Sequence, residues 1–267
     1  MRGLEPRLAR PHIAARPASH GIILLSLRFL LLLAGFIGFG AVLYLGVSSA
    51  NAVVIGFVVL GWIVSLCLHE SAHAFAAFLG GDRSVETRGY LSLDPMAYAQ
   101  PMLTFGLPVM FVLLGGVGLP GGAVYIERLS LRSRWWDSLV AAAGPLANAV
   151  FLLAIGIPFW LDLPLRGGGA FWSALAFLGY LQATALALNL LPIPGFDGFG
   201  IIRPHLPQDM QIQADRFAAI SGLLLLALIF IPQFGAAIRN ASVTLTDLAG
   251  IDRYFIAKGY AMFRLFR

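Results

Sequence analysis

The sequence predicts an all-α polytopic membrane protein with about five to six transmembrane helices. Three observations carry this. Only 12% of the 267 residues are charged and 59% are hydrophobic, against about 25% and 45–50% in a soluble domain. Residues 29–68 hold no charged side chain, which is length enough for most of two spans of about 20 residues each. The chain also carries 30 glycines, a residue that membrane helices tolerate far better than soluble ones.

Residues 1–20 place Arg2, Arg7, Arg10 and Arg16 against a single Glu5, with three prolines. They read as a basic cytoplasmic tail ahead of a retained signal anchor, because the apolar stretch behind them exceeds the ~7–15 residues of a cleavable leader. The first span is expected over residues 21–45, interrupted only by Arg28, and residues 46–51 form the turn after it. The second runs over 52–79 and stops at Gly80-Gly81. Three more follow over 138–161, 170–191 and 217–231, and the breaks between them hold the charges.

Residues 84–94 alternate in the manner of a strand and suggest a small membrane-associated β element after the second helix. Residues 95–126 are uncharged, yet Pro95, Pro101, Pro108 and Pro120 interrupt them. That makes a poor continuous helix and suits a re-entrant or hairpin element packed against protein. The membrane-embedded unit covers residues 21–235, with a core at 50–200. Residues 236–267 form a C-terminal tail of amphipathic or interfacial character.

The net charge of +5 does not point to nucleic acid, since the basic residues flank apolar runs and so report membrane orientation. The N-terminal arm and the cluster Arg128, Arg132, Arg134 are both expected on the cytoplasmic side. Five crossings then leave the tail outside, despite Arg239, Arg253, Lys258, Arg264 and Arg267. A sixth crossing or an interfacial helix over 250–267 reconciles the two. The sole cysteine, Cys67, excludes an internal disulfide framework.

The chemistry starts within the second helix, at His69-Glu70-Ser71-Ala72-His73. Histidines four residues apart lie one turn apart on one helical face, so both imidazoles can converge on one ion. Glu70 can reach a water at that ion, which is the HExxH arrangement of zinc hydrolases. Burying these ionisable groups in an apolar helix without a shared partner costs several kcal/mol, about 2.5–3.5 for an unpaired carboxylate. A divalent cation is the economical partner. Catalytic zinc sites usually take three protein ligands.

Asp197, in Asn189-Leu-Leu-Pro192-Ile-Pro194-Gly-Phe-Asp197-Gly198, is the better candidate for the third, and His205 the weaker. Periodicity alone favours an Asp-Gly turn there. The count of crossings, however, puts His69 and Asp197 at the same membrane face. Asn148, in Gly144-Pro145-Leu-Ala-Asn148, offers an amide at membrane depth. It suits either a substrate carbonyl or a hydrogen bond between helices.

Together and in this order, HExxH, GPxxN and NxxPxPxxDG resemble the site-2 protease family of intramembrane zinc metalloproteases. The resemblance spans roughly residues 50–200. It implies that His69, His73 and Asp197 ligate one zinc ion per chain and that Glu70 activates the hydrolytic water. It further implies that Asn148 binds or polarises the scissile peptide and that Asn189 helps shape the site. A membrane-inserted β element after the HExxH helix is also implied, matching residues 83–120.

The expected substrates are membrane-spanning or membrane-embedded proteins in the lipid bilayer of a bacterial or archaeal cell, cut at peptide bonds. A substrate helix must first unwind, and a strand near residues 84–93 is expected to hold it by edge pairing. Neither a PDZ insertion nor a nucleotide-binding domain is evident. Two other readings are a non-proteolytic relative that binds membrane proteins and a metal-ion transporter. An intact Glu70 speaks against the first. The second lacks the further ionisable residues of an ion path, since Arg28 alone stands out.

Overall fold

The computed structural model describes residues 25–98, 124–166, 169–229 and 231–264. Among these the secondary structure is helical throughout. Four helices are long and apolar enough to cross a membrane: α1 (Leu27–Tyr44), α2 (Asn51–Gly80), α4 (Arg134–Trp160) and α5 (Gly169–Asn189). Helices suit this solvent because each pairs its own backbone where no water is present. Side chains start two of them. Ser26 Oγ accepts from the Phe29 amide at 3.1 Å, and Ser133 Oγ from the Trp136 amide at 3.4 Å.

The order of layers follows from which faces are apolar. α5 is buried on nearly every side, from Trp172 through Leu188, as expected of a helix apolar all round. α2 and α4 pack against it and against each other, and α1 lies outermost on α2 with only Phe29, Gly40 and Leu43 buried. The main core joins Val54, Phe57, Val58 and Trp62 of α2 to Leu152, Ile155 and Phe159 of α4 and to Leu178 and Leu181 of α5. One polar tie crosses it, where Gln182 Nε2 donates to Ser65 Oγ at 2.7 Å.

At the end where α2 finishes, the bundle is laced together by polar groups. Ser26 donates its amide to the Ser92 carbonyl at 2.9 Å, and Arg28 pairs with Asp94 at 2.8 Å. Buried Asp82 accepts from the Ser84 amide at 2.9 Å and from the Glu127 amide at 2.8 Å. It thereby holds the chain entering α4 against the exit of α2. Replacing Asp82 with Ala strands both donors and is expected to lower stability by about 2–3 kcal/mol. A fall of several degrees in Tm of the purified protein checks this.

The stretch expected to be a strand is different. Residues 84–93 form α3 (Ser84–Thr87) and a 3-10 turn, Tyr90–Ser92. Asp82 caps the Ser84 amide and starts a helical turn. Gly89 at φ 77° and Leu93 at φ 56° then bend the chain into the left-handed region twice, which a strand does not tolerate. The rest of the expected β element, residues 99–120, lies outside the described residues.

The span expected at 217–231 coincides with the second half of α7 (Gln208–Ile229), which is not among the four candidate spans. The C-terminal tail forms two helices, α8 (Pro232–Leu248) and α9 (Arg253–Phe263). α8 runs antiparallel to α5. Phe234 and Ile238 meet Leu188 and Phe196 near its start, Ser242 bonds Thr184 at 3.1 Å midway, and Ala249 sits on Gly156 beyond its end. α9 then crosses the first half of α5, where Gly259 lies against the Ser173 carbonyl.

Candidate metal centre

The two histidines of α2 face α4 at the level of Gly144. A Cβ on Gly144 would overlap His73 Nε2 and stand 2.6 Å from His69 Cε1, so only glycine lets the two helices approach this closely. Pro145 follows inside α4 and cannot donate to the carbonyl one turn back, which opens the helix locally. Beside this opening, His73 Nδ1 donates to the Val140 carbonyl at 2.7 Å. That bond assigns the proton to Nδ1 and leaves Nε2 as an acceptor turned toward His69 and Asp197.

Asp197 opens α6 (Asp197–Ile202), eight residues after α5 ends at Asn189. The chain reaches this point by folding back over itself. A Cβ on Gly198 would overlap the Leu190 carbonyl and lie 2.7 Å from the Leu191 carbonyl oxygen. The Asp-Gly pair thus serves a close backbone crossing that swings the carboxylate under α2. Asp197 Oδ2 stands 3.3 Å from His69 Nε2, and Oδ1 stands 3.4 Å from His73 Nε2. The two imidazole nitrogens are 3.1 Å apart.

These donor atoms, all within 4.8 Å of one another, could hold a metal ion. The fit can be checked by geometry. Ligands bonded to a tetrahedral zinc at about 2.0–2.1 Å stand about 3.3 Å from each other, and the observed separations bracket that value. With Nε2 of His73 an acceptor and a carboxylate opposite, electron pairs converge on one point, which a cation resolves. The donor chemistry, two imidazoles and one carboxylate, is that of hydrolytic zinc sites.

Glu70 is buried beside this cluster. Asn148 is buried one turn beyond Gly144 on the same face of α4, and Asn189 is buried at the end of α5. His205 does not join the group. Its Nε2 lies 3.1 Å from Ser138 Oγ, with its ring against Trp135. His12 and His20 lie outside the described residues. Val140 takes part through a backbone carbonyl that no side-chain pattern announces.

Comparison with known proteins agrees with this geometry. The chain is 44% identical over 205 residues to Rip2 of Mycolicibacterium smegmatis, covering 76% of this chain and 77% of the relative. The chain belongs to the site-2 protease family. Rip2 of Mycobacterium tuberculosis strain H37Rv is 42% identical over 219 residues, 80% of this chain and 82% of its own length. A more distant member, YwhC of Bacillus subtilis, is 25% identical over 186 residues, 67% of this chain and 82% of its own. Each of these relatives carries the name "putative zinc metalloprotease". No family model and no solved structure matches the chain. Within this family, zinc is the ion that the His69, His73 and Asp197 group supports.

Proposed function

We propose that the chain is an intramembrane endopeptidase in which His69, His73 and Asp197 hold one zinc ion and Glu70 is the general base. The observation that carries this reading is the meeting of the three donors inside a bundle of four apolar helices. When bound, zinc supplies Lewis acidity, bringing the pKa of a water from 15.7 toward about 7 and polarising a carbonyl.

Glu70, next to a ligand and buried, accepts the proton from that water and delivers it to the leaving amine nitrogen. His73 is held in one tautomer and one orientation by the Val140 carbonyl, as ligating histidines usually are by a backbone or carboxylate acceptor. Asn148, on the α4 face turned toward α2, donates its amide N–H to the scissile carbonyl, where negative charge develops. Asn189, buried at the end of α5, helps shape the same site. The metal-bearing end of the bundle is cytoplasmic, because Arg128, Arg132 and Arg134 flank it and the first span starts there behind the basic arm.

The substrate class is tested by reconstituting purified protein in vesicles with bacterial membrane proteins and mapping new peptide termini by mass spectrometry. Termini within apolar spans of about 20 residues are expected, absent from vesicles without the protein. Termini confined to water-exposed loops would refute the intramembrane reading.

A further inference from the structure

A second cavity lies away from the metal centre, between α5, α8 and α9, with a volume of about 530 Å³. Its floor is one face of α5, formed by Phe177, Tyr180, Thr184 and Leu188, which runs roughly 16 Å at 1.5 Å per residue. Its walls add Phe234 and Ile238 from α8 and Ile256 from α9. Two arginines, Arg239 and Arg253, also line it.

The two arginines are not equivalent. Arg253 is neutralised by Asp247 through two hydrogen bonds. Arg239 has no carboxylate. The chain has 13 acidic residues, all but Glu5 are described, and none of those described forms an ion pair with Arg239. Arg239 lies between Ile238, which packs on the Leu188 and Phe196 cluster, and Ser242, which bonds Thr184, so it stands beside the last turns of α5. It is exposed, and a cation without a carboxylate at the edge of an apolar groove suits an anionic partner.

We propose that this cleft binds an anionic phospholipid, with an acyl chain along α5 and the headgroup phosphate on Arg239. An arginine fork matches a phosphate through paired N–H···O bonds. The length and apolar lining suit a hydrocarbon chain. They do not suit an extended peptide, which would leave its amides unpaired against apolar walls. Within the polar lining, the Thr184 hydroxyl already donates to the Tyr180 carbonyl at 2.9 Å.

The test uses the full chain purified in detergent, with phosphatidylglycerol and phosphatidylcholine of identical acyl chains as probes. Retained lipid is read by native mass spectrometry and stabilisation by Tm. Wild type is expected to hold phosphatidylglycerol about fivefold more tightly, the increment of one basic contact. Arg239→Gln should erase that preference, and Arg239→Lys, which keeps the charge, should retain most of it. Ala257→Trp, at an exposed position lining the cleft, should lose both lipids by filling the groove. Equal retention of the two lipids by wild type, or an unchanged preference in Arg239→Gln, overturns the proposal. So does inorganic phosphate raising Tm as much as phosphatidylglycerol, which would make the ligand a free anion.

Discussion

The Glu70→Gln protein is expected to bind zinc as wild type does and to lose cleavage by a factor of about 10²–10⁴. The substitution keeps shape and burial and changes only the ability to hold a proton. His69, His73 and Asp197 keep their separations of 3.1, 3.3 and 3.4 Å, because none of the three leans on the Glu70 side chain for position. Metal content measured on the purified variant should therefore match wild type. The loss should appear as a lowered kcat with KM little changed, the signature of an interaction made only in the transition state. Cleavage within tenfold of wild type would remove Glu70 as the base. A protein that bound membrane partners without cutting them would show no difference at all.

The spans were legible because the bilayer demands long uncharged runs, and residues 29–68 supply one without a break. Their observed limits differ from the expected ones by one to six residues at the ends: Asn51–Gly80 against 52–79, Arg134–Trp160 against 138–161, and Leu27–Tyr44 against 21–45. The His69–His73 pair was legible for the same kind of reason, since helical spacing alone puts both rings on one face. Asp197 needed an argument from topology, because nothing in a local Asp-Gly pattern says which helix it approaches. The count of crossings predicted a shared face, and the carboxylate stands within 3.4 Å of both rings.

Other features were hidden for physical reasons. The alternation at 84–94 is too short to distinguish a strand from turns, and one capping carboxylate, Asp82, tips the balance. The Val140 carbonyl that orients His73 belongs to an apolar residue and acts through its backbone, so composition cannot reveal it. The docking of α9 onto α5 depends on Gly259, and the seating of the chain just past α8 on α4 depends on Gly156. Their meaning appears only once the opposing helix is known.

Gly144→Ala carries the second large effect, and it sets two physical terms against each other. In a helix interior, alanine is better than glycine by about 1 kcal/mol, so α4 considered alone should become more stable. The added methyl, however, would overlap His73 Nε2 and stand 2.6 Å from both His69 Cε1 and His73 Cε1. Neither ring can yield freely. His73 is anchored through Nδ1 to the Val140 carbonyl on α4 itself, so moving α4 away drags the ring with it. The neighbouring Glu70 and Asn148 are buried and leave little slack. The expected result is a zinc affinity lower by about 100-fold or more, above the 10–100-fold cost of disturbing a supporting residue, together with loss of cleavage. Helical content of the zinc-free protein should stay near wild type, while its Tm falls, because the overlap with the two rings exists without the ion. Competition with a zinc-binding dye measures the affinity, and circular dichroism the helix content. Full zinc occupancy in Gly144→Ala would mean that α4 does not pass the histidines at contact distance. A fall in helix content together with zinc would instead place the role of Gly144 in folding.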